Sequence, residues 1–243
     1  MLQLLDELTG YRIQTVDNQI AGHVDSFLFD EGVFALQYVV VDTGEWLPGR
    51  LVLISPAVLC APNMIEKVLP VLLTKGMIES SPGIESHMPV SMEHRQALAQ
   101  YYGWPLYWGG NVPGVMTSPR LPVNMVEDDC LTESEFDNEG ENPLDYPLWR
   151  TTEIEGFKIV ASDAKAGSIH KFLVDVPTWM IRYLIVKVGW LGGKKVILSP
   201  NLVKEINWED SAVYINLNKR MLKHAPDYNS KAFIEREEIV QVR

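Results

Sequence analysis

Apolar and polar positions alternate with a period of two in short runs, and the runs recur in the same order in both halves of the chain. The first set is a short stretch at residues 11–15, then Val24–Asp30, Ala35–Asp42, Leu51–Ile54, Val58–Ala61 and Val68–Leu73. The later set includes Ile169–Asp175, Met180–Val188, Val196–Leu198, Leu202–Ile206 and Ala212–Leu217. Such runs, rich in β-branched and aromatic residues and separated by Gly, Pro, Asn and Asp, predict strands joined by tight turns. Landmark residues match one by one: Gly10-Tyr11-Arg12-Ile13 with Gly156-Phe157-Lys158-Ile159, Asp17 with Asp163, Gly22 with Gly167, Asp30 with Asp175. The offset is 146 at Asp17 and 144 at Ser55-Pro56, whose counterpart is Ser199-Pro200, so two single-residue deletions align the copies. One β-rich unit is therefore used twice in tandem.

Six short strands with strong turns predict a small, nearly closed β-barrel for each copy, since closure removes unpaired strand edges. Gly22 and Gly167, each opening a long strand, mark a bulge or a close backbone approach. Each barrel should end in a short helical turn, with Lys75, Met77 and Pro82 matching Lys219, Met221 and Pro226. A helix is expected from about Met92 to Tyr102, with Ser91 as N-cap and Gly103 as its stop. Residues 231–239 offer a counterpart. The expected organisation is a first barrel at 1–84, a helix with an aromatic and Gly/Pro-rich segment at 85–125, a linker at 126–149 and a second barrel at 150–243.

Charge changes this picture in one place. The formal net charge is −11, yet nine acids and no Lys or Arg lie between Glu127 and Asp145, and without those nine only −2 remains. The linker is acidic and the folded units are near neutral. An acid excess opposes non-specific nucleic-acid binding, so nucleic acid is not an expected partner. No apolar run approaches the roughly 20 residues that span a bilayer. The acidic N-terminus does not resemble a secretory signal, and two cysteines, Cys60 and Cys130, show no disulfide pattern. A cytoplasmic location is the expectation.

The run Asp42-Thr43-Gly44-Glu45-Trp46-Leu47-Pro48-Gly49-Arg50 before Leu51–Pro56, with Pro82 and the aromatic stretch Tyr101–Trp108 behind it, resembles the PRC-barrel family. More narrowly, the chain is similar to bacterial proteins with two such domains in tandem. Relatives in that family include the cytoplasmic domain of the photosynthetic reaction-centre H subunit and the C-terminal domain of a ribosome-maturation factor. The resemblance implies a roughly six-stranded barrel per repeat that works by docking rather than catalysis. The second copy departs from the pattern: Lys187 stands at the position of Asp42, Trp190-Leu191-Gly192-Gly193 replaces the Trp-Leu-Pro-Gly turn, and Pro177 enters the preceding turn. An interaction built on Asp42 is not expected there.

Candidate chemistry is sparse. Asp17 and Asp163, like Asp30 and Asp175, are read as turn residues, because an Asx side chain closes such a turn on its own backbone. The five histidines lack metal-ligand spacing, and no cofactor is expected. Residues 135–146 start like a calcium loop, but Tyr146 stands where the bidentate carboxylate belongs. Gly192-Gly193-Lys194-Lys195 lacks the remaining phosphate-loop residues, and Cys60 has no nearby base. The aromatic stretch is read first as packing over one barrel end. Trp46, Arg50, Trp104, Tyr107, Trp108 and Trp190 form the candidate binding surface.

The functional expectation is a non-enzymatic docking or adaptor protein that binds a protein partner or itself, for instance as a homodimer. One alternative is a small-molecule or enzymatic site between the barrels near Tyr101–Trp108. A weaker one is an RNA- or ribosome-associated role.

Overall fold

A computed structural model describes residues 1–44, 47, 50–84, 90–104, 147–189 and 193–228. The strands are β1 (Leu2–Leu4), β2 (Arg12–Gln14), β3 (Ile20–Asp30), β4 (Leu36–Asp42), β5 (Leu51–Ile54), β6 (Val68–Pro70) and β7 (Gly83–Ile84), then β8 (Leu148–Arg150), β9 (Lys158–Val160), β10 (Lys165–Asp175), β11 (Met180–Val188), β12 (Lys194–Leu198), β13 (Val203–Asn207) and β14 (Ala212–Ile215). Short helices are α1 (Leu5–Leu8), α2 (Lys75–Ser80), α3 (Met92–Tyr102), α4 (Thr151–Ile154) and α5 (Lys219–Lys223). The protein is mainly β, with two seven-stranded sheets.

Two compact units result, one spanning Thr9–Leu148 and the other combining Met1–Leu8 with Trp149–Arg243. In the Thr9–Leu148 unit the sheet order is β6-β2-β3-β4-β5-β7, with β8 also pairing β3. In the other it is β12-β11-β10-β9-β14-β13, with β1 pairing β10. The shared part of the path, β2 to β6 and β9 to β14, includes the same parallel pair in each: Ile13 opposite Leu69, and Ile159 opposite Val213. The two sheets therefore share this part of their path.

Two differences from the expected six strands have physical causes. The strand expected at Val58–Ala61 is only a pair of isolated bridges, Leu59 to Val71 and Asn63 to Val68. The 3-10 turn opened by Pro56 is shared with Pro200 and is not the cause, but Pro62, whose counterpart is Ile206, has no N–H to give a ladder. The counterpart strand β13 has no proline and forms in full. The second difference is the arm at the start of the chain. Leu2, Leu4, Leu5 and Leu8 are all buried, and β1 pairs with β10 from Leu2 opposite Asp175 to Leu4 opposite Leu173. Residues 1–8, expected within the first barrel, therefore complete the second repeat's sheet. By the repeat offset the counterpart of β1 is β8, and β8 pairs with β3.

The sheet faces explain the sequence pattern. In the Thr9–Leu148 unit, Ile13, Val24, Phe27, Val39, Val41, Val52 and Ile54 are buried, but so are Tyr38 and Val40 on the other side of β4. Arg95 of α3 reaches the Tyr38 hydroxyl, so at least part of that second face is covered. In the other unit the corresponding face holds Leu173 and Ile185 packed with Leu4, flanked by Tyr183 and Tyr228. α3 begins and ends as expected: the Ser91 hydroxyl accepts from the His94 N–H at 3.2 Å, and Gly103 stops it in the left-handed region at φ 67°.

The barrel glycines are sites of close approach. A Cβ on Gly22 would lie 2.2 Å from the Asp42 carbonyl oxygen, and one on Gly167 would lie 2.1 Å from that of Lys187. Asp17 and Asp163 do more than close their own turns. The Asp17 Oδ1 accepts the N–H of Lys75 at 3.3 Å, and the Asp163 Oδ1 accepts that of Lys219 at 2.7 Å. Each carboxylate satisfies an unpaired N–H in the first turn of α2 or α5, tying the first hairpin to the helix that ends the repeat.

Candidate interaction surface

Of the six residues expected to form a binding surface, Arg50 and Trp104 lie within the described residues, while Trp46, Tyr107, Trp108 and Trp190 lie outside them. Arg50 donates from Nη1 to the Glu79 carbonyl at 2.7 Å and from Nη2 to the Ser81 carbonyl. Both acceptors lie at the C-terminal end of α2, where carbonyls lack helical partners and the helix dipole favours a cation. Gly83 leaves room for the guanidinium, since a Cβ there would meet Arg50 Nε at 2.7 Å. Tyr101 donates to the Met77 carbonyl at 3.0 Å. Trp104 is 6% exposed and stacks on Tyr102, centroids 3.8 Å apart and planes 8° from parallel. Burial pushes the Tyr102 hydroxyl far above its ordinary pKa. The structure does bring Arg50, Tyr102 and Trp104 together, but as a packed layer that ends α2.

Two of the exposed apolar side chains, Ile65 and Trp208, lie in corresponding turns of the two copies. In the first copy the turn Asn63-Met64-Ile65-Glu66 leaves Ile65 94% exposed. In the second, Asn207-Trp208-Glu209-Asp210 leaves Trp208 54% exposed. Both turns are built alike. The Asn63 Oδ1 accepts the N–H groups of Ile65 and Glu66 at 3.1 and 3.0 Å, and the Asn207 Oδ1 accepts that of Asp210 at 3.0 Å. Lys67 and Ser211 close the turns with φ of 52° and 47°. They then receive β2 and β9 through the Arg12 N–H to Lys67 carbonyl and Lys158 N–H to Ser211 carbonyl bonds, at 3.0 and 2.9 Å. An Asx turn of this kind fixes the loop backbone without help from the side chains at its tip.

The tip residues rest on aromatic supports. Met64 takes the Tyr11 hydroxyl on its sulfur at 3.2 Å. Its counterpart Trp208 lies 5.8 Å from the ring of Phe157, the counterpart of Tyr11, and stacks on buried Trp149 at 6.0 Å. Acidic groups rim this tryptophan. Tyr214 donates to the Asp210 carboxylate at 2.6 Å, and that bond together with the nearby Asp210 and Glu205 charges raises the Tyr214 pKa. The strand pattern marks residues 207–210 only as the join between Leu202–Ile206 and Ala212–Leu217, not as a surface. The missed signal was the alignment of Met64 with Trp208 and of Tyr11 with Phe157, each a large side chain kept at a turn tip and its support.

No group of three or more metal-binding side chains occurs among the described residues, and none of the described helices is long and apolar enough to cross a membrane. Cys60 is half-buried, and burial raises its thiol pKa, so the reactive thiolate is disfavoured.

Comparison with models of known protein families matches residues 150–222 to the PRC-barrel domain. A search of curated proteins finds no match.

Proposed function

Residues 150–222 are a PRC-barrel domain, a small β-barrel module, and from that premise we propose that the chain is a non-enzymatic docking protein. In this reading its contacts with protein partners centre on the Asn63–Glu66 and Asn207–Asp210 turns. The observation that carries the proposal is Trp208, 54% exposed yet held by Trp149 and Phe157 on a turn whose backbone is fixed by Asn207. A rigid, half-exposed tryptophan has little conformational entropy left to lose on binding, and tryptophan is the residue most enriched among binding hot spots. In the first copy the exposed apolar residue of the corresponding turn is Ile65, one position after Met64, the counterpart of Trp208.

The test is site-specific photo-crosslinking from positions 65 and 208 of the full chain in its native host, with positions 158 and 204 as controls. A discrete protein joined from 65 or 208 and not from the controls supports the proposal. Products that are the same from all four positions, or turnover of a small molecule by the purified chain, would overturn it.

A further inference from the structure

The two copies carry opposite charge at one equivalent place on the sheet. In the first, Asp42 of β4 lies opposite His23 of β3 and Leu51 of β5, and its carboxylate is 3.7 Å from the His23 Nε2. In the second, Lys187 of β11 lies opposite Ser168 of β10 and Lys195 of β12. Two lysines are thus directly opposed across adjacent strands, both exposed. Like charges at that spacing repel and destabilise a sheet. Two neighbouring lysines have acid partners: Lys171 pairs with Asp6, and Lys194 with Asp227 at 2.5 Å. Among the described residues neither Lys187 nor Lys195 has a carboxylate partner. Their field is felt locally, since both contribute to holding the His170 pKa down and Lys195 does the same to Lys171.

We propose that Lys187 and Lys195 recognise an acidic segment of a protein partner, whose carboxylates supply the counter-charge this sheet face lacks. Charge complementarity sets the occupant. Two opposed ammonium groups fit two carboxylates of a peptide, whereas a nucleic acid needs an extended line of cations. The inference rests on the docking reading for the class of partner, but its residues are not those of the Trp208 turn. The two can therefore fail separately.

The first copy supplies a substitution compatible with the fold. In the full chain, Lys187→Asp with Lys195→Leu installs the residues found at Asp42 and Leu51. Titration with a fluorescent hexaglutamate peptide at low ionic strength is expected to show salt-sensitive binding that the double variant weakens about tenfold, as for two surface ion pairs within their usual range. Lys204→Asp, with its structure checked by circular dichroism, should leave that binding intact. Absence of binding by the wild-type chain, equal binding by the double variant, or tighter binding of a single-stranded oligonucleotide than of the peptide would overturn the proposal.

Discussion

Gly22 and Gly167 fix the path of the chain at the residue scale, because a carbonyl oxygen occupies the space a side chain would need. Gly22→Ala also forces a φ of 122° on an L-residue. Either alanine is expected to destabilise its own repeat by ~2–4 kcal/mol through strain and overpacking. Gly10→Ala, at φ 82° but with open space around it, should cost ~1–2 kcal/mol. Urea unfolding of the three variants checks that order. His94 and His170 make stability depend on pH. Burial depresses both pKa values, and in His170 the Lys195 and Lys187 charges add to it. Because the folded state favours the neutral imidazole, their contribution is present above the ordinary value of 6.5 and is lost as pH falls through the folded pKa. His170→Asn should therefore flatten the acid side of a stability-versus-pH curve. An unchanged slope would contradict the burial argument. These glycines were legible in the sequence as matched breaks in strand patterns. The exposure of Trp208 was not, since an aromatic residue in a turn is compatible with core or surface until its neighbours are known.

At the scale of elements, the long strands and α3 were legible because each has a sustained period or a capping pair, Ser91 and Gly103. The arm Met1–Leu8 was not. Three residues of strand followed by four of helix are too short to show either period, and Asp6 and Glu7 hide the leucines around them. Its role emerges only from pairing across the chain, Leu4 against Leu173 with Ile185 beneath. Leu4→Ala is expected to cost ~2–4 kcal/mol, the range for a buried leucine truncated beside an incompletely collapsing site. The loss should fall on the second repeat. Native-state hydrogen exchange should accelerate in β10 and β11 and leave β4 and β5 protected. Faster exchange confined to the first repeat would contradict the assignment of the arm. The sequence could not tell that the Arg50 guanidinium would be taken by the carbonyls of Glu79 and Ser81.

Across the whole molecule, the two sheets share part of their path, the Asx-stabilised turns and the carboxylate-to-helix ties, and differ in what their surfaces carry. Met64 stands against Trp208, Asp42 against Lys187, and Leu51 against Lys195. A scaffold held constant beneath divergent exposed residues is what a docking module with more than one partner surface requires. The central claim is that Trp208 is an anchor of binding rather than an incidental surface residue. Its most direct test is titration of the purified full chain, wild type and Trp208→Ala, with the protein crosslinked from position 208. Truncating an anchor should weaken binding by at least ~2 kcal/mol, about thirtyfold, with the thermal midpoint of the chain close to that of the wild type. Equal affinity of the two proteins would contradict the account.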